Sequence, residues 1–204
     1  MVRGSVIALL LGGCGFSISV GDNAPIDARS DASIDSEPPD VPDGNTCPVF
    51  YRTIGTGIYA VLDPTNFRNH MAACASHGTH LAVIDSMQEL SDLVVYGRTV
   101  SGVNPDSRFY VGLIQAPDQK EPDDSWIDFF DRDVNPDLWA SSDDNEPNDG
   151  PDKNENNHQE QAAALRLDRA ALVDLAITEN VRAYCECDQM AIGLKARMYV
   201  DALP

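Results

Sequence analysis

An α+β fold with two helices, mixed or antiparallel strands and a long irregular loop region is what this sequence predicts, on three observations. Helical apolar periodicity is confined to two short early segments, while apolar runs of strand length recur between residues 81 and 187. Four cysteines beyond residue 40 form an even set, two of them in Cys185-Glu186-Cys187. Residues 115–157 are dominated by Asp, Asn, Pro and Ser with isolated aromatics, too long a stretch for an ordinary connection and of the kind that carries function.

The elements follow in order. Thr65 is placed to cap a helix running to about Ser76, with Phe67, Met71 and Cys74 on one face and Gly78 ending it. Residues 81–84, Leu-Ala-Val-Ile, read as a short buried strand. Ser86-Met87-Gln88-Glu89 is a capping box that opens a second helix with the apolar stripe Leu90, Leu93 and Val94. Residues 109–113 read as a strand, and residues 162–167 and 182–187 supply the closing strands. The tail at 189–204 has Met, Leu and Tyr to extend the last strand or pack outside it.

Composition bounds the function. The chain has 204 residues, 43% of them hydrophobic, enough for one substantial core. Its formal net charge of -19 argues against nucleic acid or anionic lipid as a partner and leaves cations and neutral polar ligands. Residues 15–46 hold seven acidic residues against the single Arg29, with repeated Ser and Pro and few large apolar residues, which predicts a disordered acidic tether. Before it, Arg3, the apolar run at 6–11 and Leu11-Gly12-Gly13-Cys14 read as a lipoprotein signal over residues 1–14, with Cys14 the lipidated residue. Gly15 and Phe16 lack the Asp of an inner-membrane retention signal, so export to the outer membrane or cell surface is expected, with membrane contact only through the lipid anchor.

The remaining cysteines are Cys47, Cys74, Cys185 and Cys187, and an exported chain should pair them. Side chains two apart share one face of a strand, which disfavours a Cys185 to Cys187 bond and suggests two different partners. A zinc site joining these cysteines to His70, His77 and His80 lacks a paired knuckle.

Glu146-Pro147-Asn148 is the most informative motif, with Trp139 seven residues before it and Glu160 and Asp174 downstream. Calcium takes about six to eight oxygen ligands, and carboxylates and an amide flanking a proline offer part of such a shell; a sugar diol could complete it. Asp143, Asp144, Glu146, Asp149, Asp152, Glu155 and Glu160 face only Lys153 as local opposition, so a cation should order this loop. Trp126 and Trp139 are expected to anchor the loop by burial rather than stack on sugar, His158 to be solvated, and Asp124 and Asp128 to be surface acids or an auxiliary cation site. No phosphate-binding loop, nucleophile elbow or metal-hydrolase spacing is present, which points to binding rather than catalysis.

The co-linear order of these features resembles the C-type lectin-like domain family. Residues 47–188 carry the resemblance: Cys47-Pro48, the helix ending near Cys74, the run from Gly78 to Ser86, Tyr110-Val111-Gly112-Leu113, Trp126, Trp139, Glu146-Pro147-Asn148 and Tyr184-Cys185-Glu186. The resemblance implies that Cys74 pairs with Cys185, which leaves Cys47 for Cys187. It also implies Glu146, Asn148, Glu160 and Asp174 as calcium ligands, with Glu155 competing with Glu160 because residues 149–159 look longer than usual. Glu146, Asn148 and Glu160 would contact the sugar, and the Glu-Pro-Asn order resembles the mannose-like class. Two departures stand out. The family's inner disulfide falls at Ala162 and Ile177, and its Trp-Asn-Asp aligns with Leu172-Val173-Asp174, so one usual ligand is lost at Val173. Two functions follow as expectations: a surface-displayed lectin binding carbohydrate or a surface glycoconjugate through calcium, or a degenerate domain binding protein or another surface ligand without it.

Overall fold

A computed structural model describes residues 47–116, 126–140, 147, 160–188 and 190–203. Cys14, the tether at 15–46, Asp124, Glu146, Asn148, Glu155 and His158 lie outside the described residues.

The fold is α+β. A short hairpin of β1 (Arg52–Ile54) and β2 (Gly57–Thr65) leads into α1 (Phe67–Ser76), β3 (His80–Leu81) and α2 (Met87–Gly97). Then come β4 (Arg108–Gln115), β5 (Trp126–Asp128), a single 3-10 turn at Pro136–Leu138, β6 (Ala162–Arg166), β7 (Ala171–Leu175), β8 (Val181–Glu186) and α3 (Leu194–Ala202). The sheet runs β1-β2-β8-β4-β6-β7, with β3 on β8 and β5 on β4. All its pairings are antiparallel except β4 with β8, where Phe109 faces Arg182 and Tyr110 faces Ala183.

β4 is the spine because its sequence is apolar on both faces, as a strand covered on both sides must be. Phe109, Val111 and Leu113 point into one core with Tyr59, Leu90, Leu93 and Tyr184; Tyr110 and Ile114 point into the other with Phe67, Cys74, Val173 and Cys185. The two disulfides are Cys74–Cys185 and Cys47–Cys187, the pairing the resemblance implies. Both bonds converge on the end of β8 and fix it to α1 and to the first residue of the domain.

The cap of α1 is Asn66 rather than Thr65: its side chain accepts the Asn69 amide at 2.9 Å, while Thr65 is spent as the last residue of β2. Gly78 follows the helix at φ 70, the left-handed conformation that ends helices cheaply in glycine. The buried face is Phe67, His70 and Cys74, with Met71 only half-buried. His70 is fully buried, and its Nε2 meets the Val181 carbonyl at 2.8 Å. Burial lowers its pKa below the usual 6.5, against the backbone hydrogen bonds that raise it. A depressed histidine contributes stability that is present above pH 6.5 and lost as pH falls below it. We expect urea midpoints to fall as pH drops from about 7.5 to about 5, and His70→Gln, which keeps a donor for Val181, to flatten that slope. Parallel slopes for the two proteins would contradict this.

α2 starts as the capping box requires, with Ser86 Oγ accepting the Glu89 amide at 3.2 Å. Glu89 does not close the box on Ser86; its Oε2 accepts the Asp85 amide at 3.0 Å and its Oε1 accepts the Tyr59 hydroxyl at 2.5 Å, tying α2 to β2. Residues 82–84 are buried as expected, but only His80 and Leu81 are strand. Beyond Leu81 this segment bonds singly, with the Ala82 amide to Tyr184 and the Ala82 carbonyl to Gly112.

β1, β2, β5, β7 and α3 extend the expected list of elements. α3 makes a third helix where the tail was expected only to extend a strand or pack outside, and it buries Ala196, with Leu203 just beyond its end, in the core shared with Phe67. Its own sequence supplies no side-chain cap. The carboxylate of Asp131 does so, accepting the amides of Lys195 at 3.0 Å and Ala196 at 2.6 Å. Among the described residues no helix is long and apolar enough to cross a membrane.

Candidate functional site

The long loop is closed on β6 and β7. Trp139 bridges in parallel to Leu172, and the Ala140 amide donates to the Leu172 carbonyl at 3.0 Å. The chain returns at Glu160, just ahead of β6, where Ala163 is the Cα partner of Asp174. Both ends of residues 141–159 therefore attach to the strand pair that bears Asp174. Within this span Pro147 is described and is buried. Glu160 is half-buried and Asp174 is 5% exposed, so of the four expected ligands these two are placed at the same pair of strands.

Strand geometry settles the role of Val173. Its side chain points into the core with Ile114, Ala162 and Ala164, whereas Leu172 points into the opposite core. Asp174 shares the Leu172 face because side chains alternate. An asparagine at 173 would thus bury an unpaired amide rather than restore a ligand. Ala162 and Ile177, at the positions of the family's inner disulfide, lie in that same core and replace a covalent brace with apolar packing.

Trp126 is 7% exposed and meets the half-buried Trp139 edge to face, with centroids 4.9 Å apart, in the core with Leu138 and Leu172. Both rings anchor the loop ends, as expected from burial. Asp128 corrects the expectation of a surface acid or auxiliary cation ligand. It is 6% exposed; Oδ1 accepts the amides of Phe130 and Arg132 at 2.8 and 3.0 Å, and Oδ2 accepts Arg132 Nε at 2.5 Å. Its carboxylate builds the turn after β5.

A second polar group, which sequence reasoning missed, lies at the end of β8. His80 and Tyr59 are the Cα partners of Glu186 on its two sides, and Asp188 follows two residues on. One ligand atom from each of His80, Glu186 and Asp188 lies within 4.8 Å of the others. The signal was present in Cys185-Glu186-Cys187-Asp188, where the acids alternate with the disulfide cysteines. Burial pushes the Glu186 carboxyl up to about 7, helped by the negative charges of Glu89 and Asp188 and opposed by the Val83 amide and His80. Burial raises Glu89 as well, against its hydrogen bonds from Tyr59 and Asp85.

The described residues form a disulfide-framed α+β domain in which the segments flanking residues 141–159 lead to one strand pair. Comparison with solved structures names the fold. The mouse scavenger receptor C-type lectin carbohydrate-recognition domain matches with TM-score 0.54 and 18% identity over 69% of this chain and 97% of that one. The C-type lectin CEL-I from Cucumaria echinata matches with TM-score 0.54 and 19% identity over 70% and 97%. The cow CD23 carbohydrate-recognition domain, solved in the presence of an oligosaccharide, gives 0.52 and 19% over 70% and 95%. No family model and no curated protein matches the sequence. Residues 47–203 thus form a domain of the C-type lectin-like fold.

Proposed function

We propose that this chain is a surface-displayed binding module that takes carbohydrate of the mannose-like class through a calcium ion held by Glu146, Asn148, Glu160 and Asp174. The observation that carries this reading is the anchoring of both loop ends beside Asp174, at Leu172 and ahead of Ala163. In sequence, Glu146-Pro147-Asn148 falls between those two attachments, with Glu160 just ahead of β6 and Asp174 on β7. Buried Pro147 between the two flanking donors fits the same arrangement. In this reading Cys14 carries the lipid, residues 15–46 are the tether, and the lectin-like domain includes the segment after residue 188 expected as a tail, because α3 packs into its core. The neighbours in the fold comparison are binding domains, which supports a non-enzymatic role.

The test uses the full chain. Calcium at a hundredfold excess over Kd stabilises by about 2.7 kcal/mol, which should raise the melting temperature by about 5–10 °C. EDTA should reverse the shift and Glu146→Ala abolish it, and a glycan array should show mannose-type binding only with calcium. One observation favours the calcium-free alternative: with Val173 in the core, only four of the usual donors remain. A melting curve indifferent to calcium, with protein or glycan binding retained in EDTA, establishes that alternative.

A further inference from the structure

We propose that His80 Nε2 and the carboxylates of Glu186 and Asp188 form a site for one divalent transition-metal ion of the zinc class, separate from the loop calcium site.

The ring of His80 decides the chemistry. Its Nδ1 lies 2.8 Å from the Leu81 carbonyl, an acceptor only, so Nδ1 carries the hydrogen and donates it. In the neutral ring Nε2 then presents a lone pair, and that lone pair points at Asp188 Oδ1, 2.6 Å away. Two acceptors face one another, an arrangement that requires a proton or a metal ion between them. A backbone acceptor on one ring nitrogen is the usual means of aiming the other at a metal.

The other two donors are held in the same manner. Glu186 Oε2 accepts the Val83 amide at 3.0 Å and Asp188 Oδ1 accepts the Met190 amide at 2.8 Å, so each candidate ligand has its own backbone partner. Phe130 packs edge-on against the imidazole with centroids 5.0 Å apart and blocks its rotation. The disulfides at Cys185 and Cys187 immobilise the backbone on both sides of Glu186. These are the conditions of a preorganised site.

Size and charge agree. Around a tetrahedral ion with bonds of about 2.0–2.2 Å, ligand atoms stand about 3.3 Å apart, and this cluster already fits within 4.8 Å. The His80 to Asp188 contact would open by roughly 0.7 Å to admit the ion. His80 and Glu186 are 4% and 8% exposed, so a cation held against the Glu186 and Asp188 carboxylates would be poorly screened by water. An open cleft of about 330 Å³, lined in part by Tyr59, Val83, Glu89, Arg132 and Met190, reaches Glu186 and Asp188 and gives an ion access to them. One imidazole and two carboxylates suit zinc, nickel or cobalt; calcium asks for more oxygens than three residues provide.

The experiment strips the full, oxidised chain with EDTA, titrates it with Zn²⁺ calorimetrically and follows Co²⁺ by visible absorption. We expect one ion per chain, an absorption pattern of low-coordinate cobalt, and affinity reduced at least tenfold by His80→Ala and by Asp188→Asn, with His77→Ala unchanged. Asp188→Asn retains an oxygen for the Met190 amide, so the variant should still melt cooperatively without metal, which separates lost ligation from lost folding. No stoichiometric zinc binding, zinc affinity indifferent to both variants, or equal competition by calcium at matched concentration would each overturn the assignment.

Discussion

Reduction of both disulfides should unfold this domain. The bonds span 140 and 111 residues, and they are nested, which makes their contributions unequal. In the chain-entropy description a loop of 140 residues is worth about 5 kcal/mol. Once Cys47–Cys187 is closed, Cys74 and Cys185 are already linked by a second route only 29 residues longer than nothing, the difference between the two spans. The inner bond then adds about 3.5 kcal/mol rather than the nearly 5 it would add alone. Together they supply about 8 kcal/mol, within the whole stability of an ordinary domain. Thermal melts by circular dichroism should therefore show no cooperative transition in excess phosphine. Cys74→Ala with Cys185→Ala should remain folded, with its melting temperature lower by about 7–14 °C. A cooperative transition in the fully reduced chain would show that the cores suffice without the bonds.

Gly112→Val should cost about 3 kcal/mol or more, far beyond the ordinary price of filling a strand glycine. A Cβ at residue 112 would stand 2.6 Å from the Leu81 carbonyl oxygen, 3.0 Å from Val83 and 3.2 Å from Phe129. The nearest of these is backbone, and it cannot swing aside. Gly112 also accepts the Phe129 amide and donates to Ala82, at 2.9 and 2.7 Å, so retreat of β4 would break two hydrogen bonds. Gly78 offers the contrast. Nothing lies within 4 Å of its Cβ position, and only its φ of 70 resists a side chain, so Gly78→Ala should cost about 1–2 kcal/mol. Urea denaturation of both variants gives the comparison, and equal losses would mean that the contact at Leu81 relaxes freely.

Much of the frame was legible because its signals are local. The Ser86 cap, the stripe Leu90, Leu93 and Val94, the apolar run of β4 and the two-residue spacing of Cys185 and Cys187 each report on neighbours a few residues away. The family resemblance gave the disulfide pairing, since no local signal chooses among cysteines more than 100 residues apart. The candidate calcium site was legible as a donor list. Its attachment was not, because the bonds from Trp139 and Ala140 to Leu172 leave no local trace. α3 escaped for a related reason: its cap is Asp131, more than 60 residues upstream in a turn that the sequence does not connect to the tail.

The sequence by itself determined the fold class, the order of two helices and four strands, a net charge that argues against polyanions as partners, and the candidate donors Glu146, Asn148, Glu160 and Asp174. Only the tertiary structure decided that Val173 faces the core, that Asp128 serves a turn, and that His80, Glu186 and Asp188 meet. The physical reason is the range of the interactions. Periodicity and caps act within one or two turns of chain, whereas the face a strand buries and the partner a side chain meets are set by pairing across the sheet.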